Sequence, residues 1–106
     1  MAKMNLYRKQ DYNNLLTALS DASELSIQEL RQSRNHDATS WVHLGIYIAH
    51  DMGLTLKKAA DMFSRHYTTA HAAVSKTKAM IERGDPLVTQ WDKHLREIVK
   101  ENALHK

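Results

Sequence analysis

The sequence has no cysteine and very few residues that interrupt helices. Its 106 residues include three Gly and a single Pro. The lack of Cys excludes disulfides, thiolate catalysis and Cys-ligated zinc or iron–sulfur sites. The scarcity of Gly and Pro, together with abundant Ala, Leu, Lys and Glu, favours helices over a turn-rich β fold.

Long apolar runs are also missing. The longest, Leu44 to Ala49, is too short to cross a bilayer. Residues 1–6 lack the apolar run of a signal peptide. We therefore expect a cytoplasmic protein that forms one compact domain.

Apolar residues recur at helical spacing in six segments separated by short polar turns. We predict an all-α, compact bundle of about six helices over residues 11–103, after a flexible N-terminal lead-in of residues 1–10. The expected helices are 11–22, 27–31 after the N-cap Ser26, Thr39 or Ser40 to about Met52, 56–63 after the N-cap Thr55, Thr68 to Arg83, and a last helix opened by Asp85–Pro86.

Two further details follow from the pattern. The polar stretch 32–38 is expected to be a loop. The apolar residues of the last helix are expected on its inner face: Leu87, Val88, Trp91, Leu95, Ile98 and Val99.

The positive charge is concentrated in one part of the chain. Residues 54–83 carry six Lys or Arg and two acidic residues, a net charge of +4. The rest of the chain has nine basic and ten acidic residues. A local surplus of this kind is typical of a surface that faces an anion.

The helix after Thr68 has a slim, polar outer face that could enter a DNA major groove. No acidic residue occurs in this helix before Glu82, and its buried stripe is small or apolar. Such a face can approach base edges and offer donors and acceptors. An ordinary solvated face of an amphipathic helix has the same spacing, so the pattern leaves both interpretations open. The outer positions are Thr69, His71, Ala72, Ser75, Lys76, Lys78 and Ala79.

One segment resembles a known family. Residues 53–72 read Gly-Leu-Thr-Leu-Lys-Lys-Ala-Ala-Asp-Met-Phe-Ser-Arg-His-Tyr-Thr-Thr-Ala-His-Ala. They are similar to the C-terminal duplex-binding domain of the bacterial replication initiator DnaA. The similarity extends upstream through 41–49 to 26–30 and covers roughly residues 11–100. It implies a Trp-repressor-like helix-turn-helix.

The resemblance implies phosphate and base contacts for Arg65, Thr68 and Thr69, which match the family's Arg and paired Thr. The sequence departs from the family where His66 replaces Asp and Tyr67 replaces His. One residue is also missing between Phe63 and Arg65, and the family's Arg-rich loop is thinned around Arg34.

Pattern and resemblance together give the candidate DNA-binding residues. Expected phosphate anchors are Lys57, Lys58, Arg65, Lys76 and Lys78, with Arg34 reaching the neighbouring backbone. Expected base readers are Thr68, Thr69, His71 and Ala72, flanked by His66 and Ser75. Two roles stay open for Tyr67: it could cap the core, or it could contact the DNA backbone.

Catalysis and metal binding have no support in the sequence. It contains no His-x-x-x-His pair and no Gly-rich phosphate loop, so we expect no enzyme activity, no cofactor and no metal. His43 and His50 are expected on the solvent side of their helix.

We therefore predict a nucleoid-associated protein that binds double-stranded DNA sequence-specifically in replication initiation, origin recognition or transcriptional control. A phage or mobile-element origin would suit such a stand-alone module. The alternative is a helical interaction module that binds an acidic protein partner, such as a modulator of the host replication machinery. A homodimer through the last helix and a host replication protein stay open as further partners.

Overall fold

The computed structural model describes residues 7–104, with side chains described for 7–102. Among the described residues, 80% are helical and none lies in a strand. The prediction of an all-α bundle of about six helices is confirmed. The helices are α1 (Lys9–Ser23), α2 (Ile27–Gln32), α3 (His36–Asp51), α4 (Leu56–Met62), α5 (Tyr67–Glu82) and α6 (Pro86–Leu104).

Helix α3 is the centre of the bundle, because it packs against each of the other five helices. Its own Ile46 is completely buried, as are Leu15, Leu19 and Phe63 from neighbouring segments. Helices α1 and α6 pack along each other and close the core on one side. Helices α4 and α5 pack together on α3 and carry the basic surplus.

Gly45 allows the close approach on which this packing depends. A Cβ atom at this position would lie 2.5 Å from Cδ1 of Leu19 and 2.7 Å from Cζ of Phe63. Only a residue without a side chain lets α1 and the end of α4 come this near to α3.

Three predicted helix starts are confirmed. The Ser26 hydroxyl accepts a hydrogen bond from the Glu29 amide at 3.0 Å, and the Thr55 hydroxyl accepts one from the Lys58 amide at 3.1 Å. The Asp85 carboxylate accepts from the amides of residues 87 and 88 at 3.1 Å each. Each cap satisfies an amide that has no partner within its helix.

The predicted start of α3 is wrong. Asn35, not Thr39 or Ser40, is the N-cap, and its side-chain oxygen accepts from the Ala38 amide at 2.8 Å. The helix therefore takes in residues 36–38 of the predicted loop. Their polarity obscured this, although Ala38 is completely buried.

The start of α5 also differs from prediction, since the N-cap is His66 rather than Thr68. At the other end of the chain, α1 begins at Lys9, inside the predicted lead-in of residues 1–10. Residues 1–6 of that lead-in lie outside the described residues.

Leu87 is not on the inner face of α6, where it was expected, because 63% of it is exposed. It belongs to the first turn of the helix, at the rim of the bundle. There it lines a shallow groove of about 280 Å³ together with Trp41 and Val88. The other predicted inner residues of α6 do contact the core: Leu95 and Val99 are buried in it, and Val88, Trp91 and Ile98 pack against it while partly exposed.

Candidate nucleic-acid interface

Helices α4 and α5 form a helix-turn-helix joined by residues 63–66. Phe63 at the start of the turn is completely buried and anchors it in the core. Ser64 follows with a φ of 54°, in the left-handed region that favours glycine. Ser64 thus lies in the turn that separates α4 from α5, which begins at Tyr67.

His66 caps α5 with its imidazole ring. Its Nδ1 accepts a hydrogen bond from the Thr68 amide at 3.2 Å and lies 3.0 Å from the Thr68 hydroxyl. Because an amide N–H can only donate, Nδ1 is the acceptor, and the proton of the neutral ring is on Nε2.

The outer face of α5 is open to solvent, as predicted. Of the predicted outer positions, only Thr69 is half-buried, and the others are exposed. The opposite side buries the small residues Ala70, Ala73 and Thr77. Thr68 at the start of α5 is exposed as well, and Tyr67 beside it is 50% exposed. Tyr67 is therefore not a cap of the core.

Lys57 and Lys58 project from α4 and are both exposed. Lys57 Nζ lies 3.4 Å from a carboxylate oxygen of Asp61, and both side chains of this pair are largely exposed. Such a pair contributes little to stability and can reopen. The structure thus presents cations on both helices of the motif.

Arg65 is directed inward, although the sequence predicts a phosphate contact for it. Its Nη1 donates to the carbonyls of Arg31 at 2.7 Å and Phe63 at 2.8 Å. Its Nη2 donates to the carbonyls of Leu30 at 3.2 Å and Ser33 at 3.0 Å. Burial, and then the charge of nearby Arg34, lower the pKa of Arg65.

Arg34 lies exposed beside it and also turns to the end of α2. Its Nη1 donates to the carbonyls of Arg31 at 2.9 Å and Gln32 at 3.1 Å. The two arginines share the Arg31 carbonyl as an acceptor. The structure therefore brings together Arg34, from the α2–α3 loop, and Arg65, from the turn.

Two residues near this cluster differ from the sequence prediction: Arg31 was not a candidate, and His43 was expected on the solvent side of its helix. His43 is half-buried, and its pKa is lowered by burial and then by Lys76 and Arg65. Arg31 Nε donates to the Met62 carbonyl at 2.9 Å. Met62, the hydrogen-bond partner of Arg31, and the charges that act on His43 are distant in sequence, so no local pattern could have indicated these interactions.

No group of three or more His, Asp or Glu that could hold a metal ion occurs among the described residues. Within the same range, no helix has the length and apolar character needed to cross a membrane. His50, predicted on the solvent side, is half-buried, and its Nδ1 lies 2.8 Å from the Leu54 carbonyl.

No protein-family model, curated protein or solved structure matches this chain.

Proposed function

We propose that this protein binds double-stranded DNA through its helix-turn-helix, with α5 in the major groove. The observation that carries the proposal is the exposed side of α5, which is slim, polar and basic. From Tyr67 to Ile81 the helix has no carboxylate. A carboxylate on this face would repel phosphates, whereas short polar side chains allow close contact with base edges.

The exposed residues divide into two roles. In this proposal, Thr68, His71, Ala72 and Ser75 read base edges. His66 and Tyr67 flank them at the start of α5, and Thr69 lies beside them. Lys57, Lys58, Lys76 and Lys78 supply the phosphate contacts. These lysines would release counterions on binding, so affinity would fall as salt rises.

The biological role belongs to the same proposal. A stand-alone module resembling the duplex-binding domain of DnaA would act at a replication origin or in transcriptional control, close to the chromosome. Its altered turn, with His66 and Tyr67, would give it a site preference of its own.

The proposal is tested by duplex binding across a salt series, followed by selection of preferred sites from a random duplex pool. Lys76→Ala should weaken binding to all sequences and reduce the slope of log affinity against log salt by about 0.9. Thr69→Ala should chiefly relax sequence preference. Lys93→Ala, an exposed lysine on α6, is the matched control and should leave both quantities unchanged.

The absence of salt-sensitive duplex binding at micromolar protein would reject this function and favour an acidic protein partner. Equal effects of Lys76→Ala and Lys93→Ala would move the interface away from α5.

A further inference from the structure

We infer that Arg65 is a positioning residue, which locks the start of α5 to the end of α2 and so sets the orientation in which α5 meets DNA. This inference rests on the proposed function. It differs from the role that the family resemblance implies, in which this arginine contacts phosphate.

The hydrogen-bond capacity of Arg65 carries the inference. A guanidinium has four N–H donors on its two terminal nitrogens and one on Nε. The two terminal nitrogens make four contacts with backbone carbonyls, at 2.7 to 3.2 Å. A phosphate contact through these nitrogens would require Arg65 to leave them.

The carbonyls of α2 need this partner. The last four carbonyls of a helix accept no hydrogen bond from an amide of that helix. Helix α2 has only six residues, so most of its carbonyls need another donor. The Leu30, Arg31 and Ser33 carbonyls point out of its C-terminal end and accept from Arg65. Arg34 also donates to the Arg31 and Ser33 carbonyls, whereas the Leu30 carbonyl accepts from Arg65 and not from Arg34. Withdrawal of Arg65 would therefore remove the guanidinium donor of the partly buried Leu30 carbonyl, which is costlier than losing an exposed contact.

A second hydrogen bond crosses the same junction in the opposite direction. Arg31, from α2, donates through Nε to the carbonyl of Met62, the last residue of α4, at 2.9 Å. Arg65 in turn bonds to the Phe63 carbonyl of its own turn at 2.8 Å. Helix α2 and residues 62–65 are therefore held as one unit.

The locked unit lies directly before the reading face. His66, the N-cap, follows Arg65 in the chain, and Thr68 and Thr69 come within the next four residues. A change in the direction of the turn at Arg65 therefore displaces the first reading residues together. Loss of the Arg65 hydrogen bonds to α2 should therefore reduce the preference for one DNA sequence more than it reduces the general affinity for duplex DNA.

The test compares Arg65→Lys with Arg65→Ala and uses Lys76→Ala as the phosphate-type reference. Lysine keeps the positive charge, but its single ammonium cannot span carbonyls on several sides as the guanidinium fork does. Each variant is measured well below its unfolding midpoint. The readouts are affinity for the selected site, affinity for random duplex and the salt slope.

In both Arg65→Lys and Arg65→Ala, the ratio of affinity for the selected site to affinity for random duplex should fall about tenfold. Arg65→Lys should keep the wild-type slope of log affinity against log salt. Lys76→Ala should show the reverse, with a reduced slope and a retained preference. If Arg65→Lys binds like the wild type while Arg65→Ala loses about 0.9 of slope, Arg65 is a phosphate ligand and the inference is wrong.

Hydrogen exchange separates this inference from the proposed function. Amide exchange at Leu30 and Ser33, which donate to Ser26 and Glu29 within α2, reports the lock without DNA. Arg65→Lys should speed exchange there about tenfold and leave the buried amides of α6 unchanged. Unchanged exchange in α2 would overturn the lock even if the protein binds DNA. A wild type that does not bind DNA would instead remove the proposed function.

Discussion

His43 shows how the basic surface acts on a single residue. The side chain is half-buried on the central helix, and its pKa is lowered by burial and then by the charges of Lys76 and Arg65. In the unfolded chain the imidazole returns to its ordinary pKa of 6.5. As the pH falls through that value, the unfolded state therefore takes up the proton first.

This order of protonation predicts how stability depends on pH. The contribution of neutral His43 is complete above pH 6.5 and is lost as the pH falls towards the lowered pKa of the folded state. His43→Gln removes the titrating group and should flatten part of the decline in the free energy of unfolding between about pH 7.5 and 5.5. Urea unfolding of both proteins at the two pH values measures the difference. A decline in the variant as steep as in the wild type would contradict the prediction.

At the scale of elements, Gly45 decides how closely α3 meets its neighbours. Gly45→Ala adds a Cβ within 3 Å of the buried Leu19 and Phe63 side chains. Overpacking of this kind costs about 1–3 kcal/mol, while the higher helix propensity of Ala returns up to about 1 kcal/mol. We expect the free energy of unfolding, measured in urea, to fall by about 1–2 kcal/mol.

Gly84→Ala is the matched control, because a Cβ there has no neighbour within 4 Å. Its cost is the backbone strain of a φ of 77°, which side chains disfavour. It should destabilise through backbone strain alone and leave the packing of α3 intact. If Gly45→Ala stabilises the protein, the gain in helix propensity exceeds the packing cost. The Leu19 and Phe63 side chains would then move aside at less cost than the distances indicate.

The helices show which parts of the fold could be read from sequence. Ser26 and Thr55 were correctly predicted as N-caps, because a cap and its bonded amide are three residues apart and appear in any local window. Asn35 was missed because its polar neighbours hid the buried Ala38. His66 was missed because an imidazole caps less commonly than the threonine two residues later.

In the candidate site, too, local features could be predicted from the sequence and long-range contacts could not. The exposure of the α5 face follows from helical spacing, so most of its outer residues lie where the sequence places them. The contacts of Arg65 with Leu30, Arg31 and Ser33 span more than 30 residues. Tertiary packing alone brings them together, and a motif match could suggest only an outward role for this arginine.

Across the whole molecule, the positive charge to which we assign DNA binding opposes folding. Lys76 and Arg65 both act on His43, and Arg34 acts on Arg65, so positive groups from three separate segments share one region. Arg34 and Arg65 repel each other, and Lys76 and Arg65 oppose the protonation of His43. A bound duplex would neutralise these charges. A surface adapted to phosphate should therefore carry a small stability cost in the free protein.

Lys76→Glu tests this conflict, because it replaces a cation near His43 with an anion. The variant should unfold about 2 °C higher than the wild type at low salt, since a surface charge change is worth only a few tenths of a kcal/mol. The gain should shrink at about 0.3 M salt as screening increases. Salt-dependent duplex binding should be lost in the same variant.

The control is Lys93→Glu on α6, which makes the same charge change at an exposed site four residues before Glu97. There the new carboxylate faces a like charge in the next turn, so the unfolding temperature should fall slightly and DNA affinity should change far less. Thermal unfolding and duplex titration of both variants at two salt concentrations measure the two effects together. If Lys76→Glu lowers the unfolding temperature as Lys93→Glu does, the basic region carries no repulsive cost, and its charges are balanced within the fold.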